Sequence, residues 1–175
     1  GLDLSKLLAG SHGTLGFLTE VTFRVLPKPP AEKTVVVSGL DDEAATRIMA
    51  AAMAMSVEVS GAAHLPESVR SRFIDGPATI LRLEGLAASV EARAAKLLSV
   101  IDRVGPWALL EGEESTVLWR QVRDVAPYAG ENAKPLWKVS VAPAQGHRLV
   151  ADLRMEAGID AFYDWQGGLV WMQME

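Results

Sequence analysis

The chain has 175 residues, 49% of them hydrophobic and 22% charged, with a net charge of -5 and a sequence pI near 5.3. That composition is globular and long enough for one or two compact units, and its acidity argues against nucleic acid or an anionic membrane surface as the main partner. It has no cysteine, which excludes disulfides, thiol nucleophiles and cysteine-held iron–sulfur clusters within it.

The first segment with character is GSHGTLGFLTEVTFRVLPKP, from Gly10 to Pro29. Gly10, Gly13 and Gly16 are spaced by three. Glycines permit positive φ and let an approaching group reach the backbone, and a turn with several free N–H groups is a small anion-binding concavity. The bland alternative is a tight turn before a strand. The spacing is neither the dinucleotide fingerprint nor a P-loop. Residues 16 to 26 alternate apolar and polar and predict a half-buried strand. Pro27, Pro29 and Pro30 end it and mark a linker, so a domain boundary is expected near residue 30.

Beyond the linker, residues 33 to 40 form a β-branched run and predict a strand. Residues 41 to 56 predict a helix capped by Asp41 or Asp42. Strands are expected at 57 to 65 and 78 to 85, separated by a turn over 72 to 77. A long amphipathic helix follows over 86 to 105, stopped by Gly105 and Pro106, then a strand from Trp107. The order β-α-β-β-α-β is the split, ferredoxin-like arrangement of an α+β fold. A second pass predicts a helix over 113 to 126, a strand over 134 to 142 and a helix over 144 to 158. Two last strands are joined across Gly167 and Gly168. Together they predict an antiparallel sheet with its helices on one face.

The segment LLAGSHGTLGFLTEVTFRVLPKP resembles the closing motif of the FAD-binding domain in flavoproteins of the vanillyl-alcohol-oxidase, or PCMH, type. D-lactate dehydrogenases and glycolate oxidase subunits belong to that family. His12 stands where the family usually has Glu, and Phe17 where it usually has Ile or Val. The resemblance implies that Ser11, His12, Gly13, Thr14, Gly16, Phe17 and Leu18 lie against FAD, largely through backbone. It also implies that residues 1 to 30 are the end of a flavin domain. Residues 31 to 175 would then be the cap domain over the substrate side, cut short at its C-terminal end.

In catalytic members of the family a helix with the pattern LWxxR presents an arginine to the substrate carboxylate. Leu118 and Trp119 match its start, and Arg123, one residue past the pattern's arginine position at Val122, is taken as the counterpart. A guanidinium suits this role because its planar fork makes two parallel hydrogen bonds. The competing reading is a solvated helix arginine beside Asp124. Lys138 lies near a substrate-contacting lysine of some members, although an exposed strand lysine is the simpler reading.

Catalytic members also carry a GHxGDGNxH motif near the late hairpin. Here the hairpin reads YDWQGGLVWM, without histidine. His12, His64 and His147 are isolated and read as surface or turn residues, so no metal site is expected. Trp119, Trp137, Trp165 and Trp171 are expected in the core, with Trp165 and Trp171 alternatively lining a pocket.

This combination resembles the second flavoprotein-like subunit that bacterial glycolate oxidases carry beside their catalytic flavoprotein. It implies an FAD-containing, cytoplasmic subunit, peripheral to the inner membrane through its complex, working with a catalytic flavoprotein and an iron–sulfur subunit. The reaction implied is oxidation of glycolate or D-lactate to the 2-oxo acid. The alternatives are a self-sufficient flavin oxidase using Arg123 with Tyr128 or Tyr163, and a non-enzymatic docking subunit.

Overall fold

A computed structural model describes residues 3–69, 77–130 and 134–174. After a short helix, α1 (Leu4–Leu8), the elements are β1 (Ala31–Ser38), α2 (Asp42–Ala54), β2 (Gly61–Leu65), β3 (Ala78–Gly85), α3 (Ala87–Ile101) and β4 (Trp107–Glu111). They continue with α4 (Gly112–Arg123), β5 (Leu136–Ser140), α5 (Gly146–Arg154), β6 (Ile159–Asp164) and β7 (Leu169–Met174). The strands form one seven-stranded sheet in the order β4-β1-β3-β2-β6-β7-β5. Every pairing in it is antiparallel. The fold is mixed α+β. The turn expected over 72 to 77 lies outside the described residues except for Pro77.

The local signals explain the elements. Asp41 caps α2, its carboxylate accepting from the Ala44 N–H at 2.7 Å, the arrangement that satisfies an orphan amide at a helix start. Val90, Ala94, Leu97 and Ile101 recur at helical spacing and form the buried stripe of α3. With Met49 and Ala52 of α2 they cover one face of the sheet, against Val35, Val37, Leu81 and Leu83. Both helices therefore lie on the same face, as the sequence predicts. α5 joins them there through Val150, packed with Ala161, Tyr163 and Val170.

Two expectations are corrected. Helices do not occupy one face only. α4 packs Leu118, Trp119 and Val122 on the opposite face, against Val36, Ala63, Ile80 and Phe162. The reason is visible in β1, where Thr34 to Val37 are buried without a break; a strand apolar on both sides needs a cover on both. Residues 16 to 26 are not a strand. Their alternation buries nothing, and Phe17 is 91% exposed with Phe23, Val25 and Leu26 close behind. An extended run becomes a strand only by pairing, and among the described residues no strand lies beside it.

Among the described residues, no helix is long and apolar enough to cross a membrane.

Candidate functional site

A cleft of about 660 Å³ opens on the α4 side of the sheet, where the start of β2 faces the β6–β7 turn. Its cations come from three places. Arg82 rises from β3, Arg120 and Arg123 from one side of α4, and Lys138 from β5. Its walls include three indoles, Trp119, Trp165 and Trp171.

Trp119 is the fixed floor. Its indole N–H donates to the Thr34 hydroxyl at 2.7 Å. Thr34 and Ser115 are 2.7 Å apart, and Ser115 donates to Glu32 at 2.5 Å. Because Ser115 spends its only proton on Glu32, Thr34 must be the donor between the two hydroxyls. The chain of bonds thus runs one way, from indole to carboxylate, and each bond polarises the next. Gly61 makes room for this indole: a Cβ there would stand 2.9 Å from the ring.

The cations are partly engaged. The Arg82 guanidinium lies 4.8 Å from the centre of the Trp119 ring and pairs with Glu84 at 3.1 Å. Lys138 sits 5.3 Å from the Trp171 ring and 6.0 Å from that of Trp165, within range of a cation–π attraction. Arg123 is 72% exposed and forks onto Asp124 at 2.7 and 3.0 Å. That hydrogen bond and the opposite charge raise the Arg123 pKa and lower that of Asp124. Asp164 brings a carboxyl to the same cleft, and burial pushes its pKa up against the hydrogen bond from the Trp165 N–H and the charge of Arg82.

Trp165 is held at the rim by an unusual turn. It and Gln166 both have positive φ, 49° and 56°. Such backbone is costly for bulky side chains and concentrates at functional sites. Trp165 remains 64% exposed.

The sequence candidates divide accordingly. Arg123 and Lys138 stand in the same cleft, and Arg123 also makes the Asp124 contact that the simpler reading expects. Trp119 is buried, but Trp107, Trp137 and Trp165 are exposed and not core; Trp165 and Trp171 line the cleft. Arg82, Arg120 and Asp164 were not singled out by sequence. A lone arginine inside the apolar strand TILRLEG is the signal that could have found Arg82.

The histidine expectation fails at His64, and His147 lies half-buried in α5 rather than in a turn. His12 is an exposed turn residue with φ of 49°, whereas His64 is 1% exposed in the core. Its Nδ1 meets the Thr79 hydroxyl at 3.0 Å, and its Nε2 lies 3.4 Å from Asp42. Of the tyrosines, Tyr163 points away from the cleft and donates to Asp42 at 2.6 Å. Tyr128 is buried against Phe162.

The glycine loop is a separate feature. Gly10, His12 and Gly13 have left-handed φ. Thr14 closes the turn, its N–H and hydroxyl both donating to the Ser11 carbonyl, at 3.0 and 2.7 Å. The amides of His12, Gly13, Leu15 and Gly16 have no backbone acceptor among the described residues, and the space where a Cβ would project from Gly10 or Gly13 is open. Phe17 and Leu18 extend from it, exposed. The loop fits one wall of a site for an anionic or planar group.

No protein-family model matches the chain. It is 30% identical to glycolate oxidase subunit GlcE of Escherichia coli K12 over 174 residues, 99% of this chain and 41% of that protein. Against glycolate oxidase subunit GlcD of Bacillus subtilis 168 it is 31% identical over 111 residues, 63% of this chain and 22% of that protein. A 38-residue stretch is 50% identical to glycolate oxidase subunit GlcD of E. coli K12. The chain therefore spans about two-fifths of GlcE and about a fifth of the B. subtilis GlcD. These similarities relate the chain to glycolate oxidase subunits.

Proposed function

We propose that this chain is part of a subunit of a flavin-dependent 2-hydroxy acid oxidase or dehydrogenase complex of the glycolate oxidase kind. The observation that carries the reading is the cleft. It gathers Arg123 and Lys138, from α4 and β5, over a floor fixed by Trp119. A small carboxylate suits it, because a guanidinium fork and a point cation can share its two oxygens.

In this reading residues 31 to 175 are a ferredoxin-like cap of the PCMH-type flavoproteins, and the strand order β4-β1-β3-β2 supports that description. Residues 1 to 30 belong to the flavin side. Ser11, His12, Gly13, Thr14, Gly16, Phe17 and Leu18 would hold FAD, the free amides of the loop meeting its polar edge. Bound FAD supplies the acceptor for the two electrons released when the hydroxyl-bearing carbon is oxidised. This chain's own part is to bind and orient the carboxylate. To do so, the carboxylate must displace Asp124 from Arg123. The proposed partners are a catalytic flavoprotein subunit and an iron–sulfur subunit.

The self-sufficient oxidase is less well supported. Tyr163 and Tyr128, the proton-handling groups it would need, are both buried, and Tyr163 is turned to the opposite face.

The test is the flavin spectrum of the full-length protein, alone and with its partners, on addition of glycolate. The expected result is bound flavin that bleaches only when the partners are present. Bleaching without partners would establish the self-sufficient oxidase, and absence of flavin would leave only a docking subunit.

A further inference from the structure

The seven-stranded sheet is two half-sheets joined at one narrow place. Among the described residues, β4-β1-β3-β2 and β6-β7-β5 pair through His64 opposite Tyr163 alone. On the face away from the cleft, that pair carries a compact polar cluster. Asp42, at the start of α2, accepts from the Tyr163 hydroxyl at 2.6 Å and from Arg154 of α5 at 2.8 Å, both on Oδ2. Its other oxygen, Oδ1, faces His64 Nε2 at 3.4 Å. The His64 and Tyr163 rings stack with centroids 5.9 Å apart.

The cleft straddles the same junction on the other face. Arg82 and Gly61 belong to the first half-sheet, and α4, with Arg120 and Arg123, packs on it. Lys138, Asp164 and Trp171 belong to the second. The width of the cleft is therefore the angle between the half-sheets. Apolar contacts of Phe162 with the α4 core also hold the junction, but they are non-directional and tolerate sliding. Hydrogen bonds to a carboxylate have direction and are the stronger kind.

We propose that Asp42, with His64, Tyr163 and Arg154 converging on it, is a positioning centre that locks the Lys138 half-sheet against the arginine half and so sets the geometry of the cleft. Asp42 acts through the junction and touches no ligand. Its own carboxyl is well suited to this. Burial alone would push it up, but the His64 imidazole facing it, the hydrogen bond from Tyr163 and the charge of Arg154 outweigh that and hold it at about 2. The lock is ionised throughout the neutral range. The consequence for binding rests on the carboxylate reading of the cleft, whereas the mechanical claim does not.

The experiment compares wild type, Asp42→Asn and Tyr163→Phe by amide hydrogen exchange and by titration with oxalate, a small carboxylate probe. Loss of a hydrogen bond to a charged group corresponds to about tenfold or more in an opening equilibrium. Asp42→Asn should therefore speed exchange in β6, β7 and β5 by about tenfold, leave β1 and β3 unchanged, and weaken oxalate binding by a similar factor. Tyr163→Phe, which keeps the ring and the stacking, should fall between. Unchanged exchange, or equal acceleration in both halves, would overturn the proposal. Wild-type protein that binds no oxalate would instead count against the carboxylate reading, and the exchange comparison would still decide this one.

Discussion

Asp42 shows how one carboxyl can matter at several levels. It lies in the first turn of α2, where the helix dipole favours an anion, and it receives bonds from two other elements. Its folded pKa of about 2 is below the ordinary carboxyl value near 4. The unfolded chain therefore binds the proton more readily than the folded one. The stability Asp42 contributes is complete above about pH 4 and is lost as the pH falls toward about 2. The shift corresponds to about 2 kcal/mol. Urea unfolding followed between pH 5 and pH 2 should show a loss of about that size in wild type that Asp42→Asn lacks. Parallel curves for the two proteins would show that the carboxylate is not held as described. The sequence offered Asp42 only as a candidate cap. Asp41 is the cap, and the real role of Asp42 depends on partners at positions 64, 154 and 163 that no local pattern brings together.

At the scale of elements, Gly61 and α4 depend on each other. The edge of the Trp119 ring occupies the space a side chain at position 61 would need. Gly61→Ala should push the indole off its bond to Thr34 and destabilise the fold by about 1–3 kcal/mol, the usual cost of overpacking. A chemical-denaturation midpoint measures this, and an unchanged midpoint would mean that the indole moves freely. Much at this scale was legible. The stripe of α3 and the cap of α2 each carry their own signal, because the stripe answers one buried face and the cap answers the unpaired amides of a helix start. The placement of α4 was less so. Its helix was evident, but its choice of face was written in β1, in the unbroken run Thr34–Val37. Residues 16 to 26 misled for the converse reason: their alternation describes a strand, and a strand also needs a neighbour.

For the whole molecule, the cleft exists because two half-sheets and α4, packed on the cleft's own face, converge. Arg123 was legible by resemblance, and Lys138 less clearly. Arg82, Arg120 and Asp164 were not, since their meeting is a property of the sheet order rather than of any segment. In the proposed function this convergence makes a carboxylate site. The direct measurement is a titration of the 175-residue chain with oxalate or glycolate, read by tryptophan fluorescence, because Trp119, Trp165 and Trp171 line the cleft. The expected result is a saturable change in wild type that Arg123→Lys weakens by about tenfold, lysine keeping the charge but losing the fork. A fluorescence signal that never saturates, or identical curves for the two proteins, would contradict it.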